Sequence, residues 1–263
     1  MLFNSFVKPN LIILLVVTIS LCACQKDNEL TTNLLDTSST TRASFSEDTF
    51  TILPLGDSRV EGNQPDFESY RYELWKRFIE NDIPVDFVGY QEDEGWYPDV
   101  NGIPFDRDHQ GTGGAMTTDI IELIEEVEED SPMPDVLLLG IGGNDLTDGQ
   151  QTVESTIHNI DEIIDWFQER NNNITIFLEQ IAPARSDFMT PHLSQVLNQF
   201  NREIAALGEK QTDNYSKVIV VNMASNWSDN YMADFVHYNE AGAKEVAKRY
   251  YNAITKTFVN EGN

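Results

Sequence analysis

Thr51-Ile52-Leu53-Pro54-Leu55-Gly56-Asp57-Ser58-Arg59-Val60-Glu61-Gly62 decides the fold. An apolar run with β-branched residues, cut off by a Gly-Asp-Ser turn, reads as a buried strand that stops abruptly. Residues just past such a strand lie at the carboxyl edge of a sheet, where open α/β folds build their sites. Ser58 is therefore expected to present its hydroxyl into a crevice. A serine that attacks a carbonyl needs a base and a set of donors for the charge that develops. Three further stretches offer them: Gly111-Thr112-Gly113-Gly114, Gly142-Gly143-Asn144-Asp145 and Asp234-Phe235-Val236-His237.

Downstream of the first strand, helical and strand patterns alternate. A helix is expected from Phe67 to Asn81, with Tyr70, Leu74, Phe78 and Ile79 on one face, stopped by Pro84. Val85–Gly89 reads as a short strand. Gln91 to Thr118 is a long glycine- and proline-bearing irregular region, and long loops in compact domains are usually functional. A helix from Thr117 to Glu129 turns Ile120, Ile121, Leu123, Ile124 and Val127 inward. Asp135–Ile141 is an unbroken apolar run, as in a strand covered on both faces. A helix carrying Val153, Ile157, Ile160, Ile163, Ile164 and Phe167 follows, then a strand at Ile174–Ile181. His192 to Lys210 is helical, with Gly208 as its expected end. Lys217–Asn222 is the last strand and Asn239–Phe258 the last helix. This alternation predicts an α/β fold, a three-layer α/β/α sandwich around a five-stranded parallel sheet. One domain is expected, at 49–263.

The first 48 residues follow different rules. Residues 1–23 combine Lys8 with the apolar run Leu11–Leu21, too short to span a bilayer, and read as a signal peptide. Leu21-Cys22-Ala23-Cys24 resembles the lipobox of bacterial lipoproteins, which implies cleavage before Cys24 and a lipid on its sulfur. Residues 24–48, rich in Ser, Thr, Asn and Asp, read as a flexible tether. Gln25-Lys26-Asp27-Asn28-Glu29 resembles the surface-export signal of lipoproteins of the Bacteroidetes type. The implied location is the bacterial cell envelope, at the outer membrane and facing outward, with membrane contact only through the lipid.

The 263 residues carry 17 Lys and Arg against 44 Asp and Glu, a net charge of −27. Such a field repels nucleic acid, anionic headgroups and polyuronates, so no nucleic-acid partner is expected. Cys22 and Cys24 are the two cysteines of the chain, so a domain lacking both has no disulfide and no thiolate metal site. A domain of this size buries enough surface to fold without a staple, and a monomer is expected.

The four blocks occur in the order of the SGNH, or GDSL, hydrolases, and the chain resembles that family from about Phe50 onward. The resemblance implies a flavodoxin-like fold and a serine esterase working without cofactor or metal. Ser58 is the implied nucleophile and His237 the base. Asp234 is the implied third member, with Asp229 as fallback. The oxyanion hole would be the amides of Ser58 and Gly114, with Gly113 as runner-up, and the side chain of Asn144. Asp57 and Asp145 read as loop-fixing hydrogen bonders.

Glu68-Ser69-Tyr70-Arg71-Tyr72-Glu73-Leu74, Asp86-Phe87-Val88-Gly89 and Asp108-His109-Gln110-Gly111 are similar to the third carbohydrate-esterase family, the SGNH acetyl xylan esterases. Arg59, Val60 and Ala115 depart from that family's commoner residues. The likeness implies an acetylated carbohydrate as substrate. Arg59, His109, Trp96, Tyr97, Trp227 and Tyr231 are the candidate substrate contacts. Lipid, thioester or aryl esters are alternative substrates, and a catalytically silent carbohydrate-binding surface protein is the alternative of another class.

Overall fold

The Gly56-Asp57-Ser58 turn ends a strand and opens a one-turn helix. The structure, a computed structural model, describes residues 49–125, 132–149 and 151–259. The expected signal peptide at 1–23, Cys24, the tether at 24–48 and Val127 lie outside the described residues. The chain runs β1 (Phe50–Gly56), α1 (Ser58–Glu61), α2 (Arg71–Glu80), β2 (Val85–Phe87), β3 (Gln91–Glu92), β4 (Asp108–Gly111) and α3 (Thr117–Glu125). It continues with β5 (Val136–Gly140), α4 (Gly143–Asp148), α5 (Val153–Arg170), β6 (Thr175–Gln180), α6 (Pro191–Gln211), β7 (Lys217–Asn222) and α7 (Glu240–Val259).

The sheet order is β3-β4-β1-β5-β6-β7, with β2 also on β1. One edge of β1 is shared: Phe50–Ile52 pair with β2, and Leu55–Gly56 pair with β4. All pairings are parallel except β3 with β4. The five strands legible in the sequence are all present, and the long irregular region adds the short β3 and β4.

The layers follow from the period of two along the strands. In β5, Val136 and Leu138 join a core that includes Trp75, Phe78, Val246 and Tyr250, from α2 and α7. Leu137 and Leu139 join the opposite core with Ile120, Ile160, Ile164, Phe200 and Ile204, from α3, α5 and α6. The central strands are thus apolar on both faces, as the continuous runs required. Among the described residues no helix is long and apolar enough to cross a membrane.

Three expectations are corrected. Helix α2 starts at Arg71, not Phe67. Residues 63–68 instead bridge Asn63 to Phe67 and Glu68 to Tyr238, which carries them onto the loop before α7. Helix α6 runs past Gly208 to Gln211, and Gly208 is buried within it. A Cβ at Gly208 would lie 2.4 Å from Val220 Cγ2, so the residue lets α6 approach β7 rather than ending the helix. Ile121, Leu123 and Ile157 are only partly buried against the core.

Candidate active site

Gly56 must be glycine for steric reasons: a Cβ there would meet Gly140 O at 2.0 Å. That close approach draws β1 against the end of β5 and brings their two loops together. Asp57 then caps α1, its Oδ1 accepting from Arg59 N at 2.9 Å. Ser58 is the first residue of α1 and stands at the carboxyl edge of the sheet, as the sequence predicted.

The loop before α7 delivers the imidazole. Ser58 Oγ lies 2.9 Å from His237 Nε2, and His237 Nδ1 lies 2.7 Å from Asp234 Oδ2. A neutral ring protonated on Nδ1 donates to Asp234 and accepts from the Ser58 hydroxyl. Asp234 Oδ1 also accepts from Val236 N at 2.8 Å and from His237 N at 2.7 Å. One carboxylate therefore shapes the loop and orients the ring. Burial pushes the Asp234 carboxyl up, but the ring and the two amides outweigh it and hold it below the usual carboxylate range. Asp229 is engaged elsewhere: it accepts from Ser186 N at 2.9 Å and Ser186 Oγ at 2.5 Å. The imidazole partner is Asp234, not the fallback.

The donors expected around Ser58 also converge. Gly114 has φ +77°, a conformation glycine adopts freely, and both it and Asn144 line the cleft beside Ser58 and His237. Asn144 Nδ2 donates to Ala115 O at 2.9 Å, which fixes the amide and leaves its second N–H for the cleft. Asp145 is fully buried and accepts from Thr117 N and, at 2.5 Å, from Thr117 Oγ1. It ties α4 to α3, the loop-fixing role expected of it.

Several candidate contacts are engaged within the protein. Arg59 faces inward, with Nε donating to Val236 O at 2.8 Å and Nη1 to Ala182 O at 2.9 Å. Its guanidinium braces the His237 loop, and the residue also lines the small hollow beside Ser58. His109 is buried, and its Nδ1 accepts from Gly111 N at 3.0 Å. Burial first, then the Arg71 charge, pulls its pKa down to about 3, so it is neutral with its proton on Nε2. Tyr97 packs on Tyr72 and Phe105, and its hydroxyl donates to Asp93. Trp227 and Tyr231 pack edge to face, and Trp227 Nε1 donates to Met232 Sδ. Trp96 alone of these rings is widely exposed, at 77%. Its amide donates to Gln64 Oε1 at 2.9 Å, next to Asn63 of the cleft wall.

Three features escaped the sequence reading. Phe67 stacks on the His237 ring at 3.9 Å between centroids. Arg71 is fully buried, paired to Asp93 at 2.6 Å, and donates to Val60 O and Glu61 O at the end of α1. A signal for it existed, since Arg71 falls on the apolar stripe with Tyr70, Leu74 and Phe78. Glu179 is buried under Gly140 and accepts from Tyr250 at 2.6 Å. Among the described residues no group of three or more His, Cys, Asp or Glu is arranged to hold a metal ion.

Two hollows meet at Ser58. A small one of about 60 Å³ is walled by Leu146, Ile181, Met189, Leu193, Leu197 and Val236. A larger cleft of about 520 Å³ includes Glu61, Asn63, Phe67, Gly113 and His237.

A hydroxyl, an imidazole and a carboxylate in one hydrogen-bonded line, facing convergent donors, define the serine hydrolase class of site. The chain belongs to the GDSL-like Lipase/Acylhydrolase family, which it matches over residues 55–245. No curated protein matches the chain. Among solved structures it is similar to a carbohydrate esterase of family 3 from Talaromyces cellulolyticus, at 21% identity and a TM-score of 0.68, covering 80% of this chain and 98% of that one. It is similar to a family 3 carbohydrate esterase from Clostridium thermocellum at 26% identity and 0.65, covering 82% and 100%. A third likeness, to a GDSL-like lipase from Parabacteroides merdae described as putative, has 18% identity and 0.58, covering 78% and 94%.

Proposed function

We propose that this acylhydrolase is a serine esterase that removes short acyl groups, acetyl foremost, from carbohydrate hydroxyls. Ser58 attacks the ester carbonyl as His237 Nε2 takes its proton. The oxyanion is met by the amides of Ser58 and Gly114 and by Asn144 Nδ2. His237 then returns the proton to the departing sugar oxygen, leaving an acetyl group on Ser58 that water removes by the same steps. Asp234 holds the ring in the reactive tautomer throughout.

The observation that carries this reading is the inequality of the two hollows. The departing oxygen must sit where His237 can protonate it, and His237 lines the large cleft but not the small hollow. The acyl group therefore enters the small hollow. At ~10–15 Å³ per water-sized group, its 60 Å³ takes about four to six such groups, enough for acetyl and not for a long chain. The large cleft has room for a sugar, and Trp96 offers a ring face beyond it. The likeness to two family 3 carbohydrate esterases supports the same substrate class.

The lipobox-like Leu21-Cys22-Ala23-Cys24 supports a lipoprotein held by a lipid on Cys24, and the export-signal-like Gln25-Lys26-Asp27-Asn28-Glu29 supports an outer-membrane location facing outward. The test of the substrate reading is acetate release from acetylated xylan, mannan, pectin and chitin, beside a 4-nitrophenyl ester series. A steep fall in kcat/KM from acetyl to octanoyl is expected. A preference for octanoyl would replace the carbohydrate reading with a lipolytic one.

A further inference from the structure

Among the described residues the cleft on the His237 side has one carboxylate in its wall, Glu61, three residues beyond Ser58 on the same turn of helix. Among the described residues no lysine or arginine lines it. The guanidinium beneath it, Arg71, is fully buried and already neutralised by Asp93 at 2.6 Å. Arg71 reaches Glu61 through the main chain, donating to Glu61 O at 2.7 Å, and leaves the side chain unpaired by a cation. The Glu61 carboxylate lies against Gly113, and both residues line the cleft. Burial raises the Glu61 carboxyl, the Arg71 charge below it opposes that, and Asp93 adds a smaller push upward; the whole chain carries a net charge of −27. An alcohol bound beside His237 therefore meets a carboxylate in the cleft wall and no lysine or arginine among the described lining residues.

We propose that Glu61 sets the charge class of the alcohol half of the substrate, favouring neutral or ammonium-bearing sugars and rejecting those that carry a carboxylate. This rests on the esterase reading and adds a specificity-determining residue to it. A carboxylate held near Glu61 in a partly buried cleft is repelled, and an ammonium attracted, by about tenfold in kcat/KM at low salt.

The test uses three esters on one scaffold: methyl 2-O-acetyl-β-glucopyranoside, its C6-carboxylate analogue and its C6-ammonium analogue. Wild type should turn them over in the order ammonium, neutral, carboxylate, with a spread that narrows at high salt. Glu61→Gln, similar in shape but uncharged, should compress the spread to within about twofold. Glu61→Asp should retain it. The ratio between esters is the readout, so a loss common to all three does not imitate the effect. A Glu61→Gln variant that keeps the wild-type spread overturns the proposal, whatever its absolute rate. Failure of wild type on all three esters would instead remove the carbohydrate-esterase reading on which the proposal stands.

Discussion

The ring of Phe67 lies flat on the imidazole of His237, with centroids 3.9 Å apart and planes 13° from parallel. The stack depends on an irregular segment. Asn63 and Phe67 exchange main-chain hydrogen bonds, and Glu68 N donates to Tyr238 O at 2.8 Å, one residue beyond the histidine. Asp234 fixes the ring at Nδ1, and Phe67 fixes the plane about that bond. Aromatic contacts of this kind contribute about 0.5–1.5 kcal/mol beyond area burial. Phe67→Ala should lower kcat on 4-nitrophenyl acetate by about two- to tenfold with a smaller change in KM, and Phe67→Tyr should restore it. Unchanged kcat in Phe67→Ala would reduce the stack to packing.

Asn144 offers one N–H to Ala115 O and the other to the cleft. A donor aimed at the developing oxyanion acts on the transition state, and losing one typically costs about 10²–10³ in kcat. Asn144→Ala should show that loss in kcat with KM little altered. A raised KM at unchanged kcat would mean that Asn144 binds ground-state substrate.

Arg71 and Asp93 form a buried pair with side-chain exposures of 0% and 8%. The guanidinium also supplies donors to the carbonyls that end α1, so it supports the helix that carries Ser58. Removing one partner of such a pair costs about 3–5 kcal/mol, because the other charge stays buried. Chemical denaturation of Arg71→Ala should show a loss of that size. Arg71→Lys should recover only part, since an ammonium lacks the fork that reaches both carbonyls. A loss under about 1 kcal/mol would show that water replaces the guanidinium.

Glu179 gives a pH signature with a definite sign. Burial raises its pKa from 4.5 to about 7, against the opposing Tyr250 hydrogen bond and Arg59 charge. The folded state thus binds the proton more tightly than the unfolded chain. The group costs nothing below pH 4.5, and its cost grows as pH rises to about 7, reaching on the order of 3 kcal/mol. Glu179→Gln should therefore become more stable relative to wild type between pH 5 and pH 8, measured as the difference in Tm. A difference that is flat or falls with pH would contradict the buried carboxyl.

Much of this was legible in the sequence because it rests on periodic burial. The strands β1, β5 and β6 are apolar runs covered on both faces, and such runs leave few alternatives. Helices as short as α1 and α4, of four and six residues, are too short to show a period. Strand β4 is Asp108-His109-Gln110-Gly111, polar in sequence yet mostly buried, because His109 and Gln110 accept from the main-chain amides of Gly111 and Tyr90. The inward turn of Arg59 also left no signal, since its partners are the carbonyls of Val236 and Ala182, distant in the chain. Phe67 was assigned to a helix because it continues the spacing of Tyr70 and Leu74; the bridge to Asn63 takes it out of that helix.

The central claim is that Ser58 carries the acyl group, and one measurement addresses it most directly. Wild type and Ser58→Ala would be mixed with 4-nitrophenyl acetate, quenched in acid within the first turnovers and digested for peptide mass analysis. Steady-state acetate release and Tm would be followed in parallel. A +acetyl mass on the peptide containing Ser58 in wild type is predicted. It should be absent from the variant, whose turnover should fall by about 10⁴-fold or more while Tm stays within a few degrees. Wild-type acetate release by Ser58→Ala, or an acetyl group trapped on another residue of a competent enzyme, would contradict the account.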